Sequence, residues 1–384
     1  MTEAPPARRT RPRNRRDLIL AAAGELFADR GYDQVAMSDV AEAVGIGASA
    51  LYRHVSSKQD LLAAVVDASL TPVEDLVTSQ GVVLTALAGG SLDDRRFGLL
   101  WHREVRHLAP EDHARLRARM RAIGECVTAD VRAARPDLGE PAADLLAWSM
   151  LAVVASPSYH RADLPRPAFD QLIADLAATV RSSEVPDVRR SRPAGQEPRV
   201  PATRREQLLT AAVRLFTEHG YARVGIEDVG KAVGIAGPSV YNHWPTKLDL
   251  LLTPVRRAAA VLAVDATTAY AEASDPADAL RRLVRSYVGL THAHHEVFGL
   301  LVTDLDHLPA DTRHELRQTQ RHYVDEWIHL LRLHHPDLDQ ATARIRVHAA
   351  LSVVNDTART PHLRNATGVR GAVEVLCARL LGLP

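Results

Sequence analysis

The sequence predicts an all-α protein made of two tandem copies of one helical unit. Three observations predict it. Apolar residues make up 46% of the 384 positions but aromatic ones only 4%. The apolar share is therefore mostly Ala, Leu and Val; alanine and leucine favour helix, and neither half shows the sustained alternation of strands. Next, "GIGASALYRHVSSKQDLL" at 45–62 returns as "GIAGPSVYNHWPTKLDLL" at 234–251, 189 residues further on. Last, "SSEVPDVRRSRPAGQEPRVPATRR" separates the copies, with four prolines and little apolar content. That composition reads as a linker.

The repeat is a whole unit rather than a motif. Residues 16–66 align with 205–255 without a gap, with 22 identities in 51 positions. Register returns later at an offset of 200, where Pro136-Asp137-Leu138 meets Pro336-Asp337-Leu338 and Val153-Val154 meets Val353-Val354. The second copy has therefore gained eleven residues, placed near 267–297. The expected division is a basic arm at 1–14, a first head at 15–66, a first body at 67–183, a linker at 184–202, a second head at 203–255 and a second body at 256–384.

Within each head the elements follow in order. Arg15 to Arg30 reads as a helix, with Leu18, Ala22, Leu26 and Phe27 as its apolar stripe and Gly31 at its C-terminal turn. Ser38 is expected to cap a short second helix, with Asp39 in its first turn; Glu227 and Asp228 hold those places in the second copy. Gly45 and Gly234 break that helix. A third helix follows near 48–55 and 237–244, and "SSKQDLL" and "PTKLDLL" open a fourth. A short helix, a glycine turn and another short helix form a helix-turn-helix, whose second helix enters the major groove of DNA.

With these residues in view, each head resembles the DNA-binding domain of the tetracycline-repressor family (TetR/AcrR). The resemblance rests on "LAAAGELFADRGY", "VGIGASALYRHV" and "SSKQDLL", and on "TAAVRLFTEHGY", "VGIAGPSVYNHW" and "PTKLDLL". It implies that Tyr52 and Tyr241 contact phosphate, with His54 and His243 after them and Lys58 and Lys247 opening the fourth helix. A tyrosine hydroxyl and a lysine ammonium can fix a helix against the DNA backbone. The chain departs from the family's pattern at Ala50, which lacks a hydroxyl that Ser239 keeps, and at Pro238. Base reading is expected from Ala48, Ser49 and Arg53 in one head and from Gly237, Ser239 and Asn242 in the other. Arg suits guanine and Asn adenine, so the half-sites should differ and the operator should be an imperfect palindrome. Arg13, Arg15 and Arg16, and Arg204 and Arg205, form basic arms for the minor groove or phosphates. Ser38 joins the DNA-facing set.

The resemblance also implies paired heads. A single helix-turn-helix covers too little DNA, and dimers normally present two. The segments 141–156, 167–182, 340–357 and 366–382 are expected to pack together, making an intramolecular pseudo-dimer. The link raises the effective concentration of the second head and leaves room for further homodimerisation. Family bodies often hold a small-molecule effector. The candidate lining is Trp101, Met120, Trp148, Met150 and Tyr159 in the first body, and Phe298, His322, Tyr323, Trp327 and His348 in the second. One pocket is expected to be able to collapse after duplication.

The remaining features narrow the class. Lys+Arg and Asp+Glu both number 47, so any basic surface must be local. Two cysteines form no disulfide framework. No apolar run is long enough for a membrane span and "MTEAPPARRTRPRNRRD" has no apolar core for a secretory signal; the cytoplasm is the expected location. "HAHHE" at 292–296 lacks metal-ligand spacing and is expected at an exposed loop or helix end. No nucleotide loop or nucleophile elbow is present, so no cofactor and no catalysis is expected. The expected function is a ligand-responsive repressor bound to double-stranded DNA; the rival is an interaction scaffold with one degenerate head.

Overall fold

A computed structural model describes residues 15–79, 81–191, 200–304 and 308–384. Among these, regular structure is helical apart from one isolated antiparallel bridge between Arg189 and Thr367. The first half contains α1 (Arg15–Arg30), α2 (Met37–Ala43), α3 (Ala48–Leu51), α4 (Lys58–Ser79), α5 (Leu84–Asp93), α6 (Phe97–Leu99), α7 (Pro110–Ala134), α8 (Glu140–Ala155) and α9 (Ala168–Ser182). After α6 the chain continues through a π-helical turn at Leu100–Glu104 and a 3-10 turn at Val105–His107. The second half contains α10 (Arg204–His219), α11 (Ile226–Ala232), α12 (Gly237–Val240), α13 (Lys247–Glu272), α14 (Pro276–Ala293), α15 (His295–Thr303), α16 (Ala310–His334), α17 (Gln340–Arg359), α18 (Pro361–Arg364) and α19 (Val369–Leu381).

The eleven-residue gain lies in lengthened helices. From the start of α4 to the end of α5 the first half uses 58–93; from α13 to α14 the second uses 247–293. Helix α13 has 26 residues against 22 in α4, and α14 has 18 against 10 in α5. The offset of 200 then holds through α7 and α16, which start at Pro110 and Ala310.

The buried stripe of α1 is Ile19, Ala23 and Phe27. Of the expected stripe only Phe27 is buried; Leu18 is 51% exposed and Ala22 and Leu26 are half-buried, so the rest of the stripe shifts by one residue. Ser38 is not the cap of α2. The N-cap is Ala36, whose N–H donates to Asp39 Oδ2 at 2.8 Å; Gly225 and Asp228 repeat this at 2.8 Å. Neither Ala36 nor Gly225 has a side-chain oxygen, so the carboxylate three residues on provides the capping.

Both α2 and α11 end in a Schellman turn. Gly45 and Gly234 have φ of 65° and 75°, and Ile46 and Ile235 donate back to Ala41 and Gly230 carbonyls at 2.9 Å. Only glycine takes that left-handed position cheaply. The turn rotates α3 and α12 across α2 and α11, with Leu51 and Val240 anchoring them in the core. The regular helix is shorter than 48–55 and 237–244, ending at Leu51 and Val240, with hydrogen-bonded turns carrying the chain on.

In the bodies, α8 packs on α17 and α9 on α19. Helices α8 and α17 are both rich in small buried residues, among them Ala143, Ala147, Ser149, Ala152, Ala349 and Ala350. The apolar core of the first head runs unbroken into both bodies. The second head has a core of its own, closed by Leu300, Leu308 and Leu316. The segment 184–191 is not a free tether: Arg189 N–H donates to Thr367 O at 3.0 Å and Thr367 N–H to Arg189 O at 2.9 Å. The rest of the expected linker up to residue 199, and the arm residue Arg13, lie outside the described residues. No helix among the described residues is long and apolar enough to cross a membrane.

Candidate nucleic-acid interface and ligand cavity

Tyr52 and Tyr241 project from the turns after α3 and α12, and each is 54% exposed. The two tyrosines hold the same position of both repeats and lie outside the packed cores. Arg53 and Asn242 are exposed beside them; His54 and His243 are half-buried. Their neighbours Val55 and Trp244 are buried and complete the core.

Lys58 and Lys247 open α4 and α13. Each ammonium lies 4.2 Å above a tyrosine ring, that of Tyr32 or Tyr221. Partial burial draws both lysines below the usual ammonium range, while neighbouring carboxylates work the other way. Ser57 and Thr246 set the start of these helices by accepting from the N–H of Asp60 and Asp249, at 3.0 and 3.1 Å.

Ala48 and Ser49 are exposed and Ser239 is half-buried. Gly237 is buried, which corrects its expected role in base reading. A Cβ there would stand 3.2 Å from the Glu227 Cα, so this glycine lets α12 pack on α11. Ser38 occupies the position of Glu227 in the first head, beside the exposed Ala48. The arginines of the second arm are exposed but engaged by their own head. Arg204 donates to Val233 O at 2.8 Å. Arg205 lies 3.7 Å over the Trp244 ring and donates to His243 O. Arg15 is half-buried and Arg16 exposed.

The bodies differ. A half-open cavity of about 1280 Å³ lies in the second body, walled by α13, α14, α16 and α17. Phe298, Tyr323 and His348 line it, as does Tyr287. Trp327 is fully buried and does not line the cavity; its ring meets those of Tyr287 and Tyr323 at 5.9 and 6.0 Å. Residues 158–162 of the first half close part of the mouth, where the His160 and His348 rings are 4.9 Å apart. Burial holds both imidazoles far below their ordinary range, His348 to about 4 and His160 to about 3.

None of Trp101, Met120, Trp148 and Met150 lines this cavity. Met120 and Met150 are buried core, which corrects their expected role. Trp148 lies flat on α7, where a Cβ on Gly124 would be 2.6 Å from its ring. Its other edge meets His362 of the second half at 5.8 Å. At the repeat spacing Trp148 stands for His348 and Gly124 for Val324. An indole thus fills in one body the level at which an imidazole lines a cavity in the other. Sequence reasoning could not find Gly124, because its meaning depends on a side chain from another helix.

The histidine-rich stretch forms the junction of α14 and α15. His292 is buried rather than exposed, 3.2 Å from Thr357 Oγ1. Among the described residues no group of three or more His, Cys, Asp or Glu is placed to hold a metal ion.

Comparison with known proteins separates heads from bodies in the same way. The family model described as "Bacterial regulatory proteins, tetR family" matches twice, at 19–65 and 208–253. That described as "Tetracyclin repressor-like, C-terminal domain" matches at 273–359, in the body with the cavity. Among relatives, the HTH-type transcriptional activator FasR of Mycolicibacterium smegmatis is 31% identical over 84 residues, 22% of this chain and 38% of that protein. The HTH-type transcriptional repressor KstR2 of the same species is 38% identical over 56 residues, 15% and 27% of the two chains. The HTH-type transcriptional regulator BetI of Agrobacterium fabrum is 31% identical over 90 residues, 23% and 42%. The chain thus spans less than half the length of these curated relatives. Solved structures include a TetR-family regulator from Bordetella parapertussis, with TM-score 0.44, 17% identity and coverage of 48% of this chain and 96% of that one. The KstR2 structure of Mycobacterium tuberculosis aligns with TM-score 0.42, 20% identity and coverage of 50% and 97%. The tetR-family head model is thus matched at both repeats and the repressor-like C-terminal model once, so the chain carries two helix-turn-helix heads similar to those of TetR/AcrR regulators.

Proposed function

We propose that the chain is a ligand-responsive transcriptional repressor that reads an imperfect palindrome with two non-identical heads. The observation that carries this reading is the equal exposure of Tyr52 and Tyr241, 54% each, on helix-turn-helix units of one design. The family with this fold consists of non-catalytic DNA-binding regulators. Tyr52, Lys58, Tyr241 and Lys247 would grip phosphates, with Ser49, Arg53, Ser239 and Asn242 facing bases. The packing of α8 on α17 and α9 on α19 supports an intramolecular pseudo-dimer. The boundaries 15–66 and 203–255 for the heads, and 67–183 and 256–384 for the bodies, belong to the same reading.

The cavity of the second body is the proposed effector site. Ligand binding there would shift the population between forms that fit DNA and forms that do not. A repressor acts by occupying its operator; an activator would use the same heads, and the name of one relative is that of an activator.

Selection of binding sites from random duplex DNA, with particle mass measured in the bound state, tests the reading. One chain per site and two unlike half-sites are expected. Two chains per site, or one half-site only, would refute the paired-head arrangement. Replacing Arg53 or Asn242 by Ala should cost about 1–3 kcal/mol and relax preference in one half-site each.

A further inference from the structure

Each body holds its head by a carboxylate. Glu104 accepts from the Tyr32 N–H at 3.1 Å, and at the repeat spacing Asp304 accepts from the Tyr221 N–H at 3.1 Å. The two clamps are braced differently. Asp304 is met by Arg106 of the first half at 2.7 Å, whose other nitrogen reaches Thr303 O at 2.5 Å. Glu104 is met by its neighbour Arg103. Arg103 also donates to Phe27 O at 2.5 Å and Ala28 O at 2.6 Å, the last turn of α1. One buried guanidinium therefore ties the first head's α1 to the carboxylate that holds Tyr32.

Arg103 also lines the cavity of the second body, with Ala28, Asp29 and Leu99 of the first half. Neither Thr303 nor Asp304 lines it. The cavity built by one half thus opens onto the clamp of the other half's head. Its lining includes six arginines and three carboxylates around an apolar and aromatic floor. One carboxylate, Asp356, already meets His102 and Arg359, each at 3.3 Å.

We propose that the cavity takes an amphipathic anion, a carboxylate or sulfonate on an apolar body, whose charged end engages Arg103 and so loosens the first head. The proposal rests on the reading of the cavity as the effector site. The anion competes with Glu104 and the two α1 carbonyls for one guanidinium. Its fork geometry serves carboxylates and sulfonates as readily as carbonyls. Helix α13 runs from the second head into the cavity wall, so a response in that head is compatible; the response in the first head is what the proposal requires.

The probe is anilinonaphthalene sulfonate added to the full chain, with binding read by fluorescence and local opening by amide hydrogen exchange. Ala263→Trp, at the cavity wall, should weaken probe binding about tenfold. In the unsubstituted chain the probe should speed exchange of Tyr32 and the last turn of α1 by about threefold or more. That probe-dependent change should vanish in Arg103→Gln and in Arg103→Lys, which keeps the charge but loses the fork. No change at Tyr32, or a change of equal size in both Arg103 variants, overturns the relay while leaving the cavity reading intact. Probe binding unaffected by Ala263→Trp overturns the cavity reading and the relay with it.

Discussion

The two bodies descend from one repeat, yet the cavity of about 1280 Å³ is walled by helices of the second, while the corresponding helices α7 and α8 of the first pack on each other. The first has Leu87, Gly98, Ile123 and Val127 where the second has Tyr287, Phe298, Tyr323 and Trp327. Larger side chains surround the emptier body. Its four rings pack on one another, Tyr287 meeting Phe298, Tyr323 and Trp327, and the longer α13 and α14 line the space. In the first body aliphatic residues let α7 and α8 close, with Trp148 lying on Gly124.

The largest test of that contrast removes one of these rings. Trp327 is fully buried, so Trp327→Ala should cost about 3–5 kcal/mol of stability. Its counterpart Val127→Ala, also fully buried, removes fewer atoms and should cost about 1–2 kcal/mol. Urea unfolding of both variants measures the difference. Equal losses would mean that the aromatic cluster does not hold the second body together.

Gly124 tests the closed body from the other side. Gly124→Val adds atoms where even a Cβ would be 2.6 Å from the Trp148 ring. Overpacking of this kind costs about 1–3 kcal/mol. Adding Trp148→His, the residue of the second body, should recover part of the loss. Failure of that recovery, read as the melting temperature of the pair, would separate Trp148 from the closing of the first body.

These contrasts also mark how far the sequence could be read. The duplication, the helix-turn-helix and both glycine turns were legible because they depend on short-range register and on φ values that glycine alone takes readily. The stripe of α1 was misplaced because Leu18, Ala22 and Leu26 run beside Ile19, Ala23 and Phe27 with the same spacing, and only tertiary packing chooses between them. The burial of Gly237 depends on Glu227, and the role of Arg205 on Trp244, ten or more residues away. The cavity was half legible: Phe298, His322, Tyr323, His348 and Tyr159 line it, whereas Met120 and Met150 are core and Trp101 and Trp148 do not reach it. Composition alone does not tell a pocket wall from a core.

A smaller test uses the two imidazoles at the cavity mouth. His160 and His348 face each other at 4.9 Å, with Arg95 3.4 Å from the His160 ring and Arg344 close by; Asp325 lies on the opposite side of the balance. Their folded values, about 3 and about 4, lie below the ordinary histidine value of 6.5. The unfolded chain therefore binds more protons between those values, and stability is full above pH 6.5 and falls as pH drops toward 4. The cleft is partly open to water, so about 1–2 kcal/mol is expected for the pair. His107 and His292 shift in the same direction. The comparison is thus between the chain and a His160→Gln/His348→Gln variant, in which the slope of stability against pH should be shallower. An unchanged slope would place both imidazoles in water.

The smallest effect asks whether the heads are equal partners. Lys58 and Lys247 hold the same geometry, each 4.2 Å above its tyrosine. Burial lowers both, yet an ammonium starts so far above neutrality that a downward shift leaves it charged when it meets a phosphate. Replacing either by Gln removes one counterion-releasing contact, so the slope of log affinity against log salt should fall by about 1 for each variant. The affinity loss at moderate salt should be about 0.5–1 kcal/mol and uniform across operator sequences, since a phosphate contact carries no base information. Equal changes in slope for Lys58→Gln and Lys247→Gln mean that both heads grip the duplex. A change for Lys58 alone would mean that the second head, with Glu227 against α12 and its arginines engaged by Val233, His243 and Trp244, rests on DNA without holding it.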